Sequence, residues 1–287
     1  MGVKLQTIKD IKLHLEEQLS GLYPETEIIA FANIIKTKLR FTKLQVYAFP
    51  ESPLTGKEAA EITNICKELK SGKPIQYILG KTSFYNCIIK VNSSTLIPRP
   101  ETEELVDLII RENRGFTGSL LDIGTGSGAI AIALAVNIPG SVVKGTDISE
   151  SALDIARENA TLNNTSVEFI RSDMLDFHAS ILQSADIIVS NPPYVRESEM
   201  SLMGKNVIGF EPHSALFVPD SDPLKFYIAV LNIARGILAI RGKIYFEINE
   251  ALGKEIFRLF AASGYSEIRI INDINGKQRF VTGIKNG

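Results

Sequence analysis

The sequence predicts an α/β chain. A Rossmann-like, mostly parallel seven-stranded sheet with an antiparallel last strand follows a small N-terminal helical bundle and a β-hairpin bridge. Three observations carry this. Apolar residues recur three or four apart through the first 80 residues with no strand pattern. From residue 119 onward, strand-like and helix-like runs alternate. The last two strand-like runs lie too close together for a helical crossover.

The N-terminal segment is helical by its periodicity. Runs at 5–19, 25–39 and 57–69 are amphipathic, and Leu5, Ile8, Ile11, Leu15 and Leu19 share one face. Gly21, Pro24, Pro50, Pro53 and the 72–74 stretch punctuate the runs. Thr55, three residues before Glu58, has the spacing of a capping box. Residues 1–75 are taken as this domain. Pattern alone leaves its role open between a docking module and a stabilising appendage. Residues 76–100 form the bridge: Phe84 to Asn92 gives two short strands with a turn near Asn86. Pro98 and Pro100 then hold Arg99 extended, and Glu101 or Thr102 opens a helix through Ile110.

Residues 101–287 carry the alternation. Strands are predicted at 119–123, 142–147, 167–171, 185–190 and 243–248, with helices at 129–137, 149–163 and 223–239. The runs at 265–271 and 279–284 are separated by only 272–278 and are expected to pair antiparallel.

Composition narrows the function classes. Apolar residues make up 45% of the 287, enough for a large core and a second, smaller unit. Lys plus Arg number 31 against 33 Asp plus Glu, a net charge of −2 that argues against stable nucleic-acid binding. Cys66 and Cys87 have neither disulfide-framework nor zinc spacing, so no metal is expected. The most apolar run, 129–136, is far shorter than the roughly 20 residues a membrane span needs, and residues 1–10 carry no apolar leader. A soluble cytoplasmic protein is expected.

The fold-level signal is Leu121-Asp122-Ile123-Gly124-Thr125-Gly126-Ser127-Gly128, a buried strand running into a glycine turn with a helix behind it. Glycines let a ligand approach the backbone, and the helix N-terminus offers free N–H groups. A dinucleotide loop reads G-x-G-x-x-G. Here the spacing is G-x-G-x-G with an acid two residues ahead, which suits a cationic ligand such as S-adenosylmethionine better than a pyrophosphate. Asp147 ends the second strand, where an acid takes both hydroxyls of a ribose. Asp173, after the third strand, is placed to meet an adenine amino group.

The most specific signal is Ser190-Asn191-Pro192-Pro193-Tyr194, after the fourth strand. Neither proline has an N–H, so the loop offers carbonyl oxygens without competing donors. Pro192 also forces Asn191 to be extended. The Asn191 side-chain oxygen and the Pro192 carbonyl become a fixed pair of acceptors for the two hydrogens of a planar NH₂ group, with the Tyr194 ring to cover it. An amide nitrogen is a poor nucleophile because its lone pair is delocalised. Two accepted hydrogen bonds return electron density to it and aim it at an electrophilic methyl. No strong base is evident; His213 is a weak candidate, and the proton can leave after transfer.

These motifs resemble those of class I methyltransferases acting on planar NH₂ groups. Thr95 through Glu103 and Phe210-Glu211-Pro212 narrow the resemblance to the peptide chain release factor glutamine methyltransferases, often called PrmC or HemK, over nearly the whole chain. The resemblance implies methylation of the glutamine side-chain amide in the Gly-Gly-Gln motif of bacterial class I release factors, tuning translation termination. It implies that Gly124, Thr125, Gly126, Ser127, Gly128, Asp147 and Asn191 contact S-adenosylmethionine. It implies that Asn191, Pro192, Pro193 and Tyr194 hold the glutamine, and that the N-terminal bundle grips the release factor. Some family members carry an aromatic residue after the third-strand acid. This chain has Met174 there, a soft side chain able to cover adenine. Arg99, Glu101 and Glu211 are read as braces of the acceptor loop, and the enzyme as a monomer.

Two other classes remain at this stage. A nucleic-acid amine methyltransferase needs the same acceptor loop but also a basic groove. Residues 1–80 hold 11 Lys/Arg and 9 Asp/Glu, a thin net of +2. A non-catalytic binding module is free to lose the acceptor motif that this chain keeps.

Overall fold

The computed structural model describes residues 4–177 and 184–287, so residues 1–3 of the first expected domain lie outside it. It forms two compact units. One comprises residues 1–80 with 205–210, the other 81–204 with 211–287.

The first unit contains α1 (Asp10–Leu19), α2 (Glu25–Lys38), α3 (Lys43–Ala48), α4 (Gly56–Lys70) and α5 (Ile75–Leu79). Its core gathers Ile11, Leu15, Leu19, Ile28, Ile35, Ile62 and Leu69, all at most 2% exposed. The first helix starts later than its apolar pattern predicts. The Asp10 carboxylate accepts from the N–H groups of Gln6 (3.0 Å) and Thr7 (2.7 Å), folding 6–10 into a turn. The Ile8 N–H donates to the Ser52 carbonyl at 3.1 Å, so Ile8 reaches the core from a bridge rather than a helix. The box at α4 is formed: the Glu58 carboxylate accepts from the Thr55 N–H (2.7 Å), and Thr55 Oγ1 accepts from the Glu58 N–H (3.2 Å). Neither α3 nor α5 was predicted. Six and five residues are too few to show a period.

The second unit opens with the hairpin of β1 (Lys81–Phe84) and β2 (Cys87–Lys90). Tyr85 and Asn86 both have positive φ, 41° and 63°, the sign pattern of a two-residue hairpin turn. There follow α6 (Pro100–Glu112), β3 (Ser119–Ile123), α7 (Ala129–Asn137), β4 (Val142–Asp147), α8 (Glu150–Leu162), β5 (Glu168–Arg171) and β6 (Ala185–Ser190). Next come β7 (Val195–Arg196), α9 (Lys205–Phe210, which belongs to the first unit) and β8 (Phe217–Val218). The chain ends with α10 (Lys225–Ile237), β9 (Leu238–Glu247), α11 (Gly253–Ala262), β10 (Tyr265–Asn272) and β11 (Gln278–Lys285). Pro100 is the first residue of α6, so the helix begins one residue before the predicted start, where a missing N–H costs nothing. The sequence reading passed over α11, whose buried Ile256 and Phe260 lie four apart.

Strand order is β10-β11-β9-β6-β3-β4-β5, with β11 antiparallel to both neighbours and β3, β4, β5, β6 and β9 parallel. The predicted class I fold is therefore present. Order reverses between β3 and β6, the switch point where open α/β sheets bind ligands. The register makes that edge level. Ile123 faces Thr146 on one side and Ser190 on the other, and Ser190 faces Phe246. Gly124, Asp147, Asn191 and Glu247, each the next residue on its strand, therefore emerge side by side.

The Thr55→Ala variant is expected to lose about 1 kcal/mol of unfolding free energy. Thr55→Ser should lose only a few tenths. Urea denaturation followed by circular dichroism reads both.

Candidate active site

A cavity of about 370 Å³ opens at the level edge of the sheet. Gly124 to Ser127, Asp147, Asp173, Met174, Asn191 and Pro193 all line it. The glycine turn is held from below: the Gly124 and Thr125 N–H groups both donate to the Thr146 carbonyl at 2.8 Å. It is held from the side by Asp147, whose two oxygens accept from the N–H groups of Gly126 (2.8 Å) and Ser149 (2.9 Å).

The three glycines do different work. All have positive φ. A Cβ on Gly126 would meet nothing within 4 Å, so its face is open to the cavity. A Cβ on Gly128 would sit 3.0 Å from Ala156 Cβ and 3.1 Å from Phe169 Cζ. Gly128 lies behind the lining and lets α7 and α8 close together. This differs from the cofactor contact expected of it. Asn159, buried on α8, ties this region to the hairpin. Its Nδ2 donates to the carbonyls of Ser127 (2.9 Å) and Lys90 (3.0 Å), and its Oδ1 accepts from the Lys90 N–H (2.7 Å).

Two acids sit beneath the turn. Asp122 is fully buried rather than facing the cavity. Thr125 Oγ1 donates to its Oδ2 at 2.6 Å, while Oδ1 has no partner within hydrogen-bond geometry among the described residues. Burial pushes its carboxyl up to about 7, against the pull of the Thr125 hydroxyl and the Ala131 N–H; the Asp147 charge adds to the rise. Burial also raises Asp147, and the N–H groups of Ser149, Gly126 and Ile148 draw it back down. The Asp173 Oδ1 accepts from the Leu175 N–H at 2.8 Å, which turns the chain after β5. A Cβ on Gly124 would stand 3.2 Å from Met174 Cε, so Met174 lies close over the glycine turn.

The acceptor loop is braced by residues that sequence reasoning missed: Thr102, which itself lines the cavity, and Glu247 and Asn249, which do not. Asn191 Nδ2 donates to Thr102 Oγ1 at 3.3 Å, and Thr102 Oγ1 donates to Glu247 Oε2 at 2.6 Å. The Tyr194 hydroxyl donates to Glu247 Oε1 at 2.9 Å, and Asn249 Nδ2 donates to the Tyr194 carbonyl at 3.2 Å. Glu247 is 1% exposed, and burial raises its carboxyl. Burial and the Glu247 charge raise the Tyr194 phenol well above the ordinary range. Pro192 is buried, and neither it nor Tyr194 is part of the cavity lining. The Tyr194 ring packs on the sheet's core with its hydroxyl tied down, so its covering face is set back from the lining. One sign of Glu247 was available: it is a lone acid within the apolar run 244–248.

The Arg99 and Glu211 side chains pair at 2.6 Å, and the second Glu211 oxygen accepts from the Ile97 N–H at 3.0 Å. They hold the 97–99 segment to Glu211 rather than bracing the acceptor loop, which is the task of Thr102, Glu247 and Asn249. His213 packs edge-on against Phe217, with ring centroids 5.2 Å apart, and is not among the lining residues.

Comparison with known proteins identifies the family and the fold. The family described as PrmC N-terminal domain matches residues 14–80, and the methyltransferase small domain matches residues 102–208. The release factor glutamine methyltransferase of Bacteroides thetaiotaomicron is 43% identical over 95% of this chain and 98% of its own length. The enzyme of the same description from Flavobacterium psychrophilum is 41% identical, over 96% and 98%. A methyltransferase from Pyrococcus furiosus, solved by crystallography, superposes with a TM-score of 0.52 at 20% identity, covering 81% of this chain and all of that one; it shares the fold.

Gly126→Ala is expected to cost about 1 kcal/mol of stability, the strain of its backbone alone. Gly128→Ala adds overpacking against Ala156 and Phe169 and should cost about 3 kcal/mol. Denaturant melts of the two unliganded variants make the comparison.

Asp122 binds its proton more tightly folded than unfolded. Folding therefore takes up a proton in the window between 3.8 and about 7. Stability from this group falls as pH rises through that window, by at most about 1.4 kcal/mol per pH unit, and is level above it. Thermal melts against pH should show a steeper fall in the wild type than in Asp122→Asn, where the raised Asp147 and Glu247 carboxyls leave a slope of the same sign.

Proposed function

Since the chain belongs to the release factor glutamine methyltransferases, we propose that its substrate is the glutamine of the Gly-Gly-Gln motif in class I peptide chain release factors. The reaction places a methyl on the side-chain amide nitrogen and leaves S-adenosylhomocysteine. S-adenosylmethionine, when bound, supplies the methyl as an electrophile on its sulfonium. The cavity suits that group: an open face at Gly126, a carboxylate at the end of β4 and a second acid beside Met174 meet the chemistry of a ribose, an ammonium and an adenine. Gly124 to Ser127, Asp147, Asp173, Met174 and Asn191 would hold it.

The observation that carries this reading is that Asn191 and Pro193 open into the same cavity as the glycine turn and Asp147. Asn191 and Pro192 accept the two amide hydrogens of the glutamine, drawing electron density onto its nitrogen. The prolines remove the N–H groups that would otherwise donate to the same carbonyls. Pro193 forms a wall of the glutamine's seat, and Tyr194 anchors the loop from behind through Glu247.

Residues 1–75 grip the release factor in this proposal. Support comes from the exposed apolar side chains on and beside α3, with Leu44, Tyr47 and Phe49 at 65%, 82% and 57% exposure. The enzyme acts as a monomer in the cytoplasm, where release factors work. A net charge of −2 supports a protein acceptor over a nucleic acid. Among the described residues, no helix is long and apolar enough to cross a membrane.

The test is incubation with methyl-labelled S-adenosylmethionine and a release factor, alongside the same factor with its Gly-Gly-Gln glutamine changed to alanine. Label is expected on the first and not the second, and Asn191→Ala should reduce the rate by at least about 100-fold. Equal labelling of both factors, or label only on RNA or DNA, would overturn the assignment.

A further inference from the structure

The acceptor reading of Asn191 requires its amide to present oxygen, not nitrogen, to the glutamine. A planar carboxamide has nearly the same shape either way round, so shape alone does not choose. The hydrogen bonds behind it do. Thr102 is 4% exposed and Glu247 1%, so no bulk water competes for their bonds. Thr102 carries one hydroxyl hydrogen, and the 2.6 Å contact commits it to Glu247 Oε2. Toward Asn191, at 3.3 Å, Thr102 Oγ1 is then an acceptor only. Asn191 must offer it Nδ2, and Oδ1 is left on the other side of the amide.

We propose that Thr102 and Glu247 are positioning residues that set the Asn191 carboxamide with its oxygen toward the substrate amide. The inference rests on the proposed role of Asn191 and assigns a task to the Thr of the Arg99-Pro100-Glu101-Thr102 stretch. Glu247 serves as the end of the relay because an ionised carboxylate only accepts. Its second oxygen is taken by the Tyr194 hydroxyl at 2.9 Å, so the same carboxylate anchors both ends of the Asn191–Tyr194 loop. Its charge is opposed by burial and by Glu101 and supported by the Thr102 and Tyr194 hydroxyls and by Arg279, and the Tyr227 hydroxyl bonds its backbone carbonyl at 3.3 Å. Were Thr102 unable to accept, either face of the Asn191 amide would serve equally, and half of the orientations would present hydrogens to hydrogens.

The test compares Thr102→Val, which keeps the shape and removes the hydroxyl, with Thr102→Ser, which keeps the hydroxyl. Each is assayed well below its own melting temperature. With Thr102→Val, kcat for release factor methylation is expected to fall at least about tenfold while KM for the release factor stays within about twofold. Thr102→Ser should stay within about threefold of wild type. A second measurement needs no substrate. In protein labelled with 15N at asparagine, the Asn191 side-chain NH₂ signals, assigned by their loss in Asn191→Ala, should shift and exchange faster in Thr102→Val but not in Thr102→Ser. Unchanged kcat and unchanged Asn191 signals in Thr102→Val, with Asn191→Ala inactive, overturn the relay and leave the Asn191 reading intact. Equal losses in Thr102→Val and Thr102→Ser, tracking their melting temperatures, reduce Thr102 to a structural contact and overturn it too. A fully active Asn191→Ala removes the role of Asn191 itself, and the relay with it.

Discussion

The site depends on the register of the parallel strands. Hydrogen bonding sets Ile123, Thr146 and Ser190 abreast, with Phe246 abreast of Ser190. The β6–β9 ladder has one irregularity, between Ala185 and Ile187 at its start, and from Ile187 to Ser190 it runs in step with β9, so the strand ends stay level. Four loops therefore leave the sheet at one height. The glycine turn, Asp147, Asn191 and Glu247 are neighbours because four strands end together, although they lie far apart in the chain. Strand order adds the second condition. With β4 on one side of β3 and β6 on the other, helices depart to opposite faces and leave a cleft between them.

Charge is arranged in two layers around that cleft. Asp147 lines the cavity and spends both oxygens on backbone N–H groups, so its carboxylate is oriented before any ligand arrives. Asp122 and Glu247 lie one layer back, fully buried, and burial raises both. Such groups are costly unless they organise something. Asp122 holds Thr125 within the turn, and Glu247 holds Thr102 and Tyr194 around the acceptor loop. The cost of burying them is the rigidity of the two loops that must meet a cofactor and a substrate.

What the sequence made legible was whatever depends on neighbours in the chain. Strand and helix alternation, the Thr55–Glu58 box, the turn at Asn86 and the antiparallel final pair all follow from local pattern. So did the composition of the cavity, because Asp147 ends a strand and Asn191 and Gly126 follow one within three residues. The misses share the opposite property. Asn159 bonds residues 69 and 32 positions away, and Glu247 bonds partners 145 and 53 away. A polar residue inside an amphipathic helix or at a strand end has no local mark that tells a structural bond from a solvated face. Gly128 shows the same limit in reverse. Its spacing matched a ligand loop, yet its open side is filled by Ala156 and Phe169, residues that only the packing of α8 and β5 brings there.

The layering bears on which nitrogen the site can activate. A protonated amine would be drawn to an exposed carboxylate, and it has no lone pair to give until it loses a proton. In the proposed reading, the acceptors supplied by Asn191 and Pro192 are neutral: an amide oxygen and a peptide carbonyl. Glu247, the acid that braces the loop, has both oxygens engaged by hydroxyls, and Asp147 and Asp173 line the same cavity at the glycine-turn side. Such a surface has little to attract a cation, and it fits a group that is uncharged, planar and rich in donors. A carboxamide is all three. Its nitrogen is unreactive in water because its electrons lean toward the carbonyl, and two neutral acceptors held at fixed positions lean them back without requiring a base. In the proposed mechanism the loop supplies polarisation and aim rather than a base, and Glu247 supplies the stiffness that keeps the aim.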